Sequence, residues 1–184
     1  MKESLSFLKV ALFNGEVGAL ARSSRFVVTA VRRVLPKRKL DKIIEYGSGD
    51  GVMTLELLKH LSPEGRFLAV EIDPKFLKVL GNINDPRITV VDDTIQNVSR
   101  NIEKYGFDRA DLVVSSIPFS YLSKLEREEV CRLTRGCLAD GGMFIVFHQY
   151  STIMARPIRK FFGKVKVNFE PRNFLPCFIM SVVL

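Results

Sequence analysis

Tryptophan is missing from this chain, cysteine occurs only three times in 184 residues, and no apolar run reaches the length of a membrane span. Cys131, Cys137 and Cys177 are odd in number and do not fall in a metal-ligand spacing. This argues against a disulfide framework or a zinc site and points to reduced core thiols in a cytoplasmic protein, with no metal expected. The opening stretch MKESLSFLKVALFNGEVG is interrupted by polar residues and has no long apolar h-region, so a secretory leader is not expected. Internal repeats and low-complexity tracts are also lacking. What remains is 47% apolar and 26% charged, an ordinary globular composition long enough to bury a core. One domain spanning 1–184 is expected.

The formal net charge of +8 is unevenly distributed. Residues 1–40 hold nine Lys/Arg and two acids, whereas the other 144 residues hold 19 bases and 18 acids. A near-neutral body (40–184) therefore carries a basic arm (1–39), densest at RRVLPKRK. Such an arm suits a polyanion, either an acidic membrane surface or nucleic acid. Helical spacing in SSRFVVTAVRRVL puts Val27, Ala30, Val31 and Val34 on one stripe with Ser23 as the expected cap. SLSFLKVALF (4–13) is apolar almost all round.

From residue 40 onward, strand-like runs alternate with helical patterns. Strands are predicted at 42–46, 66–73, 87–93, 110–118 and 143–150, and helices at 52–61, 74–83 and 123–142. Pro74 opens the second helix and Ser123 caps the third. KVKVNF (164–169) and PCFIMSVVL (176–184) leave no room for a crossover helix between them and predict an antiparallel hairpin. The result is an α/β fold: a seven-stranded mixed sheet with helices on both faces and a helical N-terminal arm.

EYGSGDG (45–51) follows the first strand and opens the first helix, where an open α/β sheet binds its ligand. Glycines at 47, 49 and 51 let the chain turn sharply and let a ligand lie against backbone N–H groups. The dinucleotide fingerprint would need a third glycine at position 52, which is Val52. Glu45 instead precedes the first glycine by two residues, suiting a ligand with a cationic amino-acid end and a nucleoside rather than a pyrophosphate. Glu71 ends the second strand, where its carboxylate can accept both ribose hydroxyls. Asp93 ends the third strand and can accept from an adenine amino group.

With these residues in place, 40–150 resembles the class I S-adenosylmethionine-dependent methyltransferases, which have a Rossmann-like fold. EYGSGDG is similar to their first motif, VEID to the ribose-binding acid, VDDTI to the adenine-contacting segment and SSIPF to the motif after strand four. Over nearly the whole chain, including GALARSSRF (18–26), SSIPFSYL (115–122) and GGMFIVFHQYS (141–151), the sequence resembles the bacterial phospholipid N-methyltransferases that act on phosphatidylethanolamine. It departs from them at Arg22, where the family often has proline. The resemblance implies S-adenosylmethionine as cofactor, bound by Glu45, Tyr46, Gly47, Ser48, Gly49, Gly51, Glu71, Ile72, Asp93, Thr94 and Ser115. It implies a phospholipid substrate, with the enzyme cytoplasmic and peripherally associated with the inner membrane.

On the acceptor side, the candidates are Ser115, Ser116, Ile117, Pro118, Phe119, Tyr121, His148 and Tyr150. Carbonyls freed by Pro118 would accept amine hydrogens. Phe119, Tyr121 and Tyr150 would flank the nitrogen as it gains methylammonium character, and His148 is a candidate base, the strand-four motif having no acid. Related rRNA adenine dimethyltransferases carry an Asn-Leu-Pro-Tyr-like motif at 115–119, so RNA methylation is the alternative. Against it stand the absence of tryptophan, of interleaved aromatic and basic residues, and of an RNA-binding domain.

Overall fold

A computed structural model describes residues 24–184. The expected 4–13 segment, Ser23 and Arg22 lie outside the described residues. The first described helix, α1 (Arg25–Val34), is capped by Ser24, whose side chain accepts from Val27 N. Val27, Ala30 and Val31 are buried and pack with Met53, Leu57 and Ile179 of the body. This part of the basic arm is therefore built into the core rather than projecting from it.

The seven strands are β1 (Leu40–Tyr46), β2 (Leu61–Glu71), β3 (Ile88–Asp92), β4 (Ala110–Ser115), β5 (Leu138–Gln149), β6 (Lys166–Glu170) and β7 (Cys177–Val183). They form one sheet in the order β3-β2-β1-β4-β5-β7-β6. β1 to β5 pair in parallel, while β7 runs antiparallel to both β5 and β6, giving the expected mixed sheet and closing hairpin. The apolar runs of β1 and β4 are buried on both faces, as parallel strands covered by helices must be. Helices α1 and α2 (Val52–Leu58) cover one face. Helices α4 (Ile95–Arg100), α5 (Lys124–Cys137) and α6 (Ala155–Phe162) cover the other, while α3 (Pro74–Leu80) joins β2 to β3. The order reverses between β1 and β4, which sets a crevice at their carboxyl ends.

Several element bounds differ from expectation for local reasons. Helix α2 stops at Leu58, and β2 begins at Leu61, ahead of Pro63 and Gly65. Its register jumps from Leu40↔Leu61 to Lys42↔Arg66, so residues 62–65 bulge out of the ladder and the proline costs no pairing. Helix α5 ends at Cys137, and β5 starts at Leu138 with a similar jump. Helices α4 and α6 were not expected. α4 is short and largely polar. α6 contains Pro157 in its first turn, where a missing N–H breaks no helical bond.

Candidate active site

The glycine loop joins β1 to α2 at the carboxyl edge of the sheet. Gly47, Gly49 and Gly51 all have positive φ (76°, 54° and 79°), a region in which other residues are strained. Gly47 is required a second time by close approach, because a Cβ there would lie 2.9 Å from Ile117 Cγ2. The loop is held by backbone bonds from Gly47 N and Ser48 N to Val70 O at 2.8 and 3.3 Å. Glu71, buried at the end of β2, grips it from beside: one oxygen accepts Gly49 N at 2.8 Å, the other Ile72 N and Asp73 N at 2.8 and 3.0 Å. From β4, Ser116 N donates to Tyr46 O, and Ser116 Oγ donates to Gly47 O at 2.8 Å. Three strand ends thus fix one loop.

Glu45 lies beneath that loop with 1% of its surface exposed, accepting a 2.5 Å hydrogen bond from Thr54 Oγ1. Burial pushes its carboxyl up to about 8, and the Thr54 hydroxyl offsets only part of that shift. The Ser48 hydroxyl leans towards Glu45 and eases its ionisation slightly, but it does not reach hydrogen-bonding geometry. Ser48 Oγ and Ser115 Oγ are both buried without a hydrogen-bond partner. Two orphaned hydroxyls, a buried acid and a glycine cradle fit a polar ligand with a cationic end. Asp93 follows β3 and accepts from Thr94 N and Asn97 Nδ2 through one oxygen, leaving the other without a hydrogen bond among the described residues. Thr94 itself caps α4. A small cleft opens between these strand ends, lined by Ile72, Thr94, Gln96, Ile117, Leu122 and Glu126. Gln96 and Glu126 had no motif to mark them in the sequence.

Two expected site residues are corrected by their surroundings. Tyr46 contributes its backbone to the loop, but its side chain is fully buried on the opposite side, bonded to Ser99 Oγ at 2.7 Å. Phe119 is likewise wholly buried in the core cluster with Leu122, Val130 and Cys131, so its ring supports the crevice rather than lining it. The carbonyls around Pro118 are also engaged: Ile117 O accepts Phe119 N, and Pro118 O accepts Tyr121 N. Arg127, unmarked by any sequence signal, donates to Phe119 O and Leu122 O and pins this turn.

Of the other acceptor-side residues, Ser115 and Ile117 are buried, whereas Tyr121 and Tyr150 keep accessible positions, 56% and 63% exposed. Tyr150 has a positive φ of 66°, an uncommon conformation for a tyrosine, just past the end of β5. His148 is half-buried on β5, its ring centroid 6.2 Å from that of Phe119 and its Nδ1 3.4 Å from Ser151 Oγ. Burial lowers its pKa, favouring the neutral, proton-accepting imidazole. The Arg38–Lys39 end of RRVLPKRK is not at this edge. Arg38 pairs with Asp111 at 3.1 Å, and Lys39 bonds Lys59 O, both beside the amino end of β1.

Comparison with known proteins agrees with this geometry. A family model described as a methyltransferase domain matches residues 44–144. The ornithine lipid N-methyltransferase of Singulisphaera acidiphila is 28% identical over 179 residues, covering 96% of this chain and 93% of that protein. The fold is shared with the 1,6-didemethyltoxoflavin-N1-methyltransferase of Burkholderia thailandensis, solved with 1,6-didemethyltoxoflavin and S-adenosylhomocysteine (TM-score 0.72, 15% identity, 98% of this chain and 86% of that one). It is also shared with an O-methyltransferase from Bacillus cereus in complex with S-adenosylhomocysteine (TM-score 0.70, 18% identity, 97% and 91%).

Proposed function

The chain belongs to the methyltransferase-domain family and its methyl donor is S-adenosylmethionine; from that premise we propose that it methylates the headgroup amine of a phospholipid, phosphatidylethanolamine and its methylated derivatives, at the membrane surface. The observation that carries this reading is the likeness to the ornithine lipid N-methyltransferase, which extends over 96% of this chain and so beyond the cofactor half to the acceptor side. Phosphatidylethanolamine itself rests on the sequence resemblance. We place the enzyme on the cytoplasmic side of the inner membrane. Among the described residues no helix is long and apolar enough to cross a membrane.

The glycine loop, Glu45, Ser48 and Ser115 would receive the amino-acid end of the cofactor, Glu71 and Ile72 its ribose, and Asp93 and Thr94 its adenine. When bound, S-adenosylmethionine supplies an electrophilic methyl group on a positively charged sulfur. The chain's own residues have two tasks: to hold a neutral amine in line and to accept the proton that the amine sheds. Positioning provides most of the rate in such a displacement. His148, near the carboxyl end of β5 and kept neutral by burial, is the candidate base, and the exposed rings of Tyr121 and Tyr150 offer π faces to the cationic product.

The test is to offer labelled S-adenosylmethionine with vesicles containing phosphatidylethanolamine, with vesicles containing ornithine lipid, and with total RNA. Label in phosphatidylethanolamine supports the proposal. Label in ornithine lipid alone would replace the phospholipid by an amino-acid lipid, and label in RNA alone would overturn the lipid reading.

A further inference from the structure

The carboxyl edge of the sheet is divided by charge and by polarity. On the β1–β3 half, the cofactor side, stand the acids Glu45, Glu71, Asp73 and Asp93. The β5–β7 part of the chain is basic overall: residues 150–184 carry six Lys/Arg and a single acid, Glu170; of these bases Arg172 lies on the turn at this edge, whereas Lys166 starts β6 at the opposite one. The β6–β7 turn projects at this end, since Glu170 pairs with Cys177 and Cys177 with Gln149, the last residue of β5. At its tip Phe174 is 93% exposed, the most exposed large apolar side chain among the described residues. Behind it the turn is well braced: Arg172 makes a two-point contact with Glu170 at 2.7 and 2.8 Å, and Asn173 Nδ2 donates to Leu175 O. Arg172 and Arg25 lie 5.1 and 4.9 Å from the ring centroid of Phe26, placing two guanidinium groups beside the tip.

From this juxtaposition we infer that the β6–β7 turn is a bilayer anchor: Phe174 enters the interfacial region of an anionic membrane while Arg25 meets lipid phosphates and Arg172, held by Glu170, adds its remaining Nη1 donor. The inference rests on the lipid reading above and adds the surface through which the acceptor crevice faces its substrate. An exposed aromatic on a rigid tip, backed by cations, matches an interface that is apolar just beneath a negatively charged plane. Tyr150 lies at the same edge, its N–H donated to Pro176 O at 2.9 Å, so docking through this turn brings headgroups to the acceptor side. The arrangement assigns docking to residues far apart in sequence, and not to the Arg38–Lys39 end of RRVLPKRK, which lies at the opposite edge.

The chain has no native tryptophan and four tyrosines, so Phe174→Trp introduces a sole tryptophan at the tip, excited selectively at the red edge of its absorption. With vesicles of phosphatidylglycerol and phosphatidylethanolamine, its emission should shift to the blue and be quenched by lipids brominated near the headgroup. In parallel, Phe174→Ala should lower partitioning onto those vesicles about tenfold, the order expected for losing one buried aromatic, and lower methylation of vesicle lipid with it. Its melting temperature, S-adenosylmethionine affinity and activity on a short-chain, monomeric acceptor should stay at wild-type levels. Emission unchanged by vesicles while the protein co-sediments with them would overturn the anchor. So would emission already blue without lipid (the tip covered by the chain's own N-terminal residues), a shift that follows protein concentration (a second copy), or a shift with RNA alone. Failure of the wild type to methylate any lipid amine would instead overturn the lipid reading, a different result from intact lipid methylation in Phe174→Ala.

Discussion

Replacing Glu45 by glutamine keeps the shape of a wholly buried side chain and removes its ionisation. Its folded-state pKa is raised by burial from 4.5 to about 8. Below pH 4.5 both folded and unfolded chains carry the proton, and the group imposes no penalty. As pH rises towards 8, the unfolded chain releases its proton while the folded one keeps it, so the wild type loses stability at about 1.4 kcal/mol per pH unit. The whole window amounts to roughly 5 kcal/mol, an upper figure for a group that relaxes or admits water. Glutamine carries no such slope. Urea unfolding of both proteins at pH 5, 6, 7 and 8 should therefore give a stability difference that moves steadily in favour of Glu45→Gln. A difference independent of pH would refute the buried, protonated carboxyl. On the proposed binding mode, the cofactor's ammonium would draw the carboxylate form back. Calorimetry in buffers of different ionisation enthalpy should then show proton release on binding near pH 7 in the wild type and none in the variant.

Gly47→Val places a branched side chain at φ 76° and a Cβ 2.9 Å from Ile117. It should weaken S-adenosylmethionine binding by at least about tenfold, from backbone strain alone, as measured by calorimetry. Phe119→Ala removes a ring with no exposed surface and should cost about 3–5 kcal/mol in urea unfolding, with activity following the folded fraction. Normal stability with lost transfer would return Phe119 to the acceptor site. Removing residues 1–23 stops short of the cap at Ser24 and of the buried α1 residues. It should leave the melting temperature unchanged and weaken vesicle co-sedimentation, whereas removal to residue 35 should unfold the body.

Local chemistry determined a large part of this protein before any tertiary contact. Alternating apolar runs and helical stripes predict the parallel core and the β6–β7 hairpin, because strand and helix periods are properties of neighbouring residues. The glycines at 47, 49 and 51, with Glu45, Glu71 and Asp93 at successive strand ends, mark the cofactor side for the same reason: backbone freedom and carboxylate placement are local features. Ser123 predicts the start of α5, where the structure adds the reciprocal capping bond to Glu126.

Tertiary structure decided which way those residues act. Tyr46 and Phe119 stand in the right segments, yet their rings turn inward and are buried in the core cluster on that face of the sheet. Glu45 is read from sequence as an anion, and only its enclosure beneath the loop raises it to about 8. RRVLPKRK forms a run of charge in sequence, but the structure spreads it out: Arg38 sits beside Asp111 and Lys39 beside Lys59 O at the far edge, while Arg32 faces Glu56. The cations beside the exposed tip, Arg25 and Arg172, are separated by well over a hundred residues and meet only through Phe26. Burial and long-range juxtaposition are sums over the whole packed chain, so no window of neighbouring residues contains them.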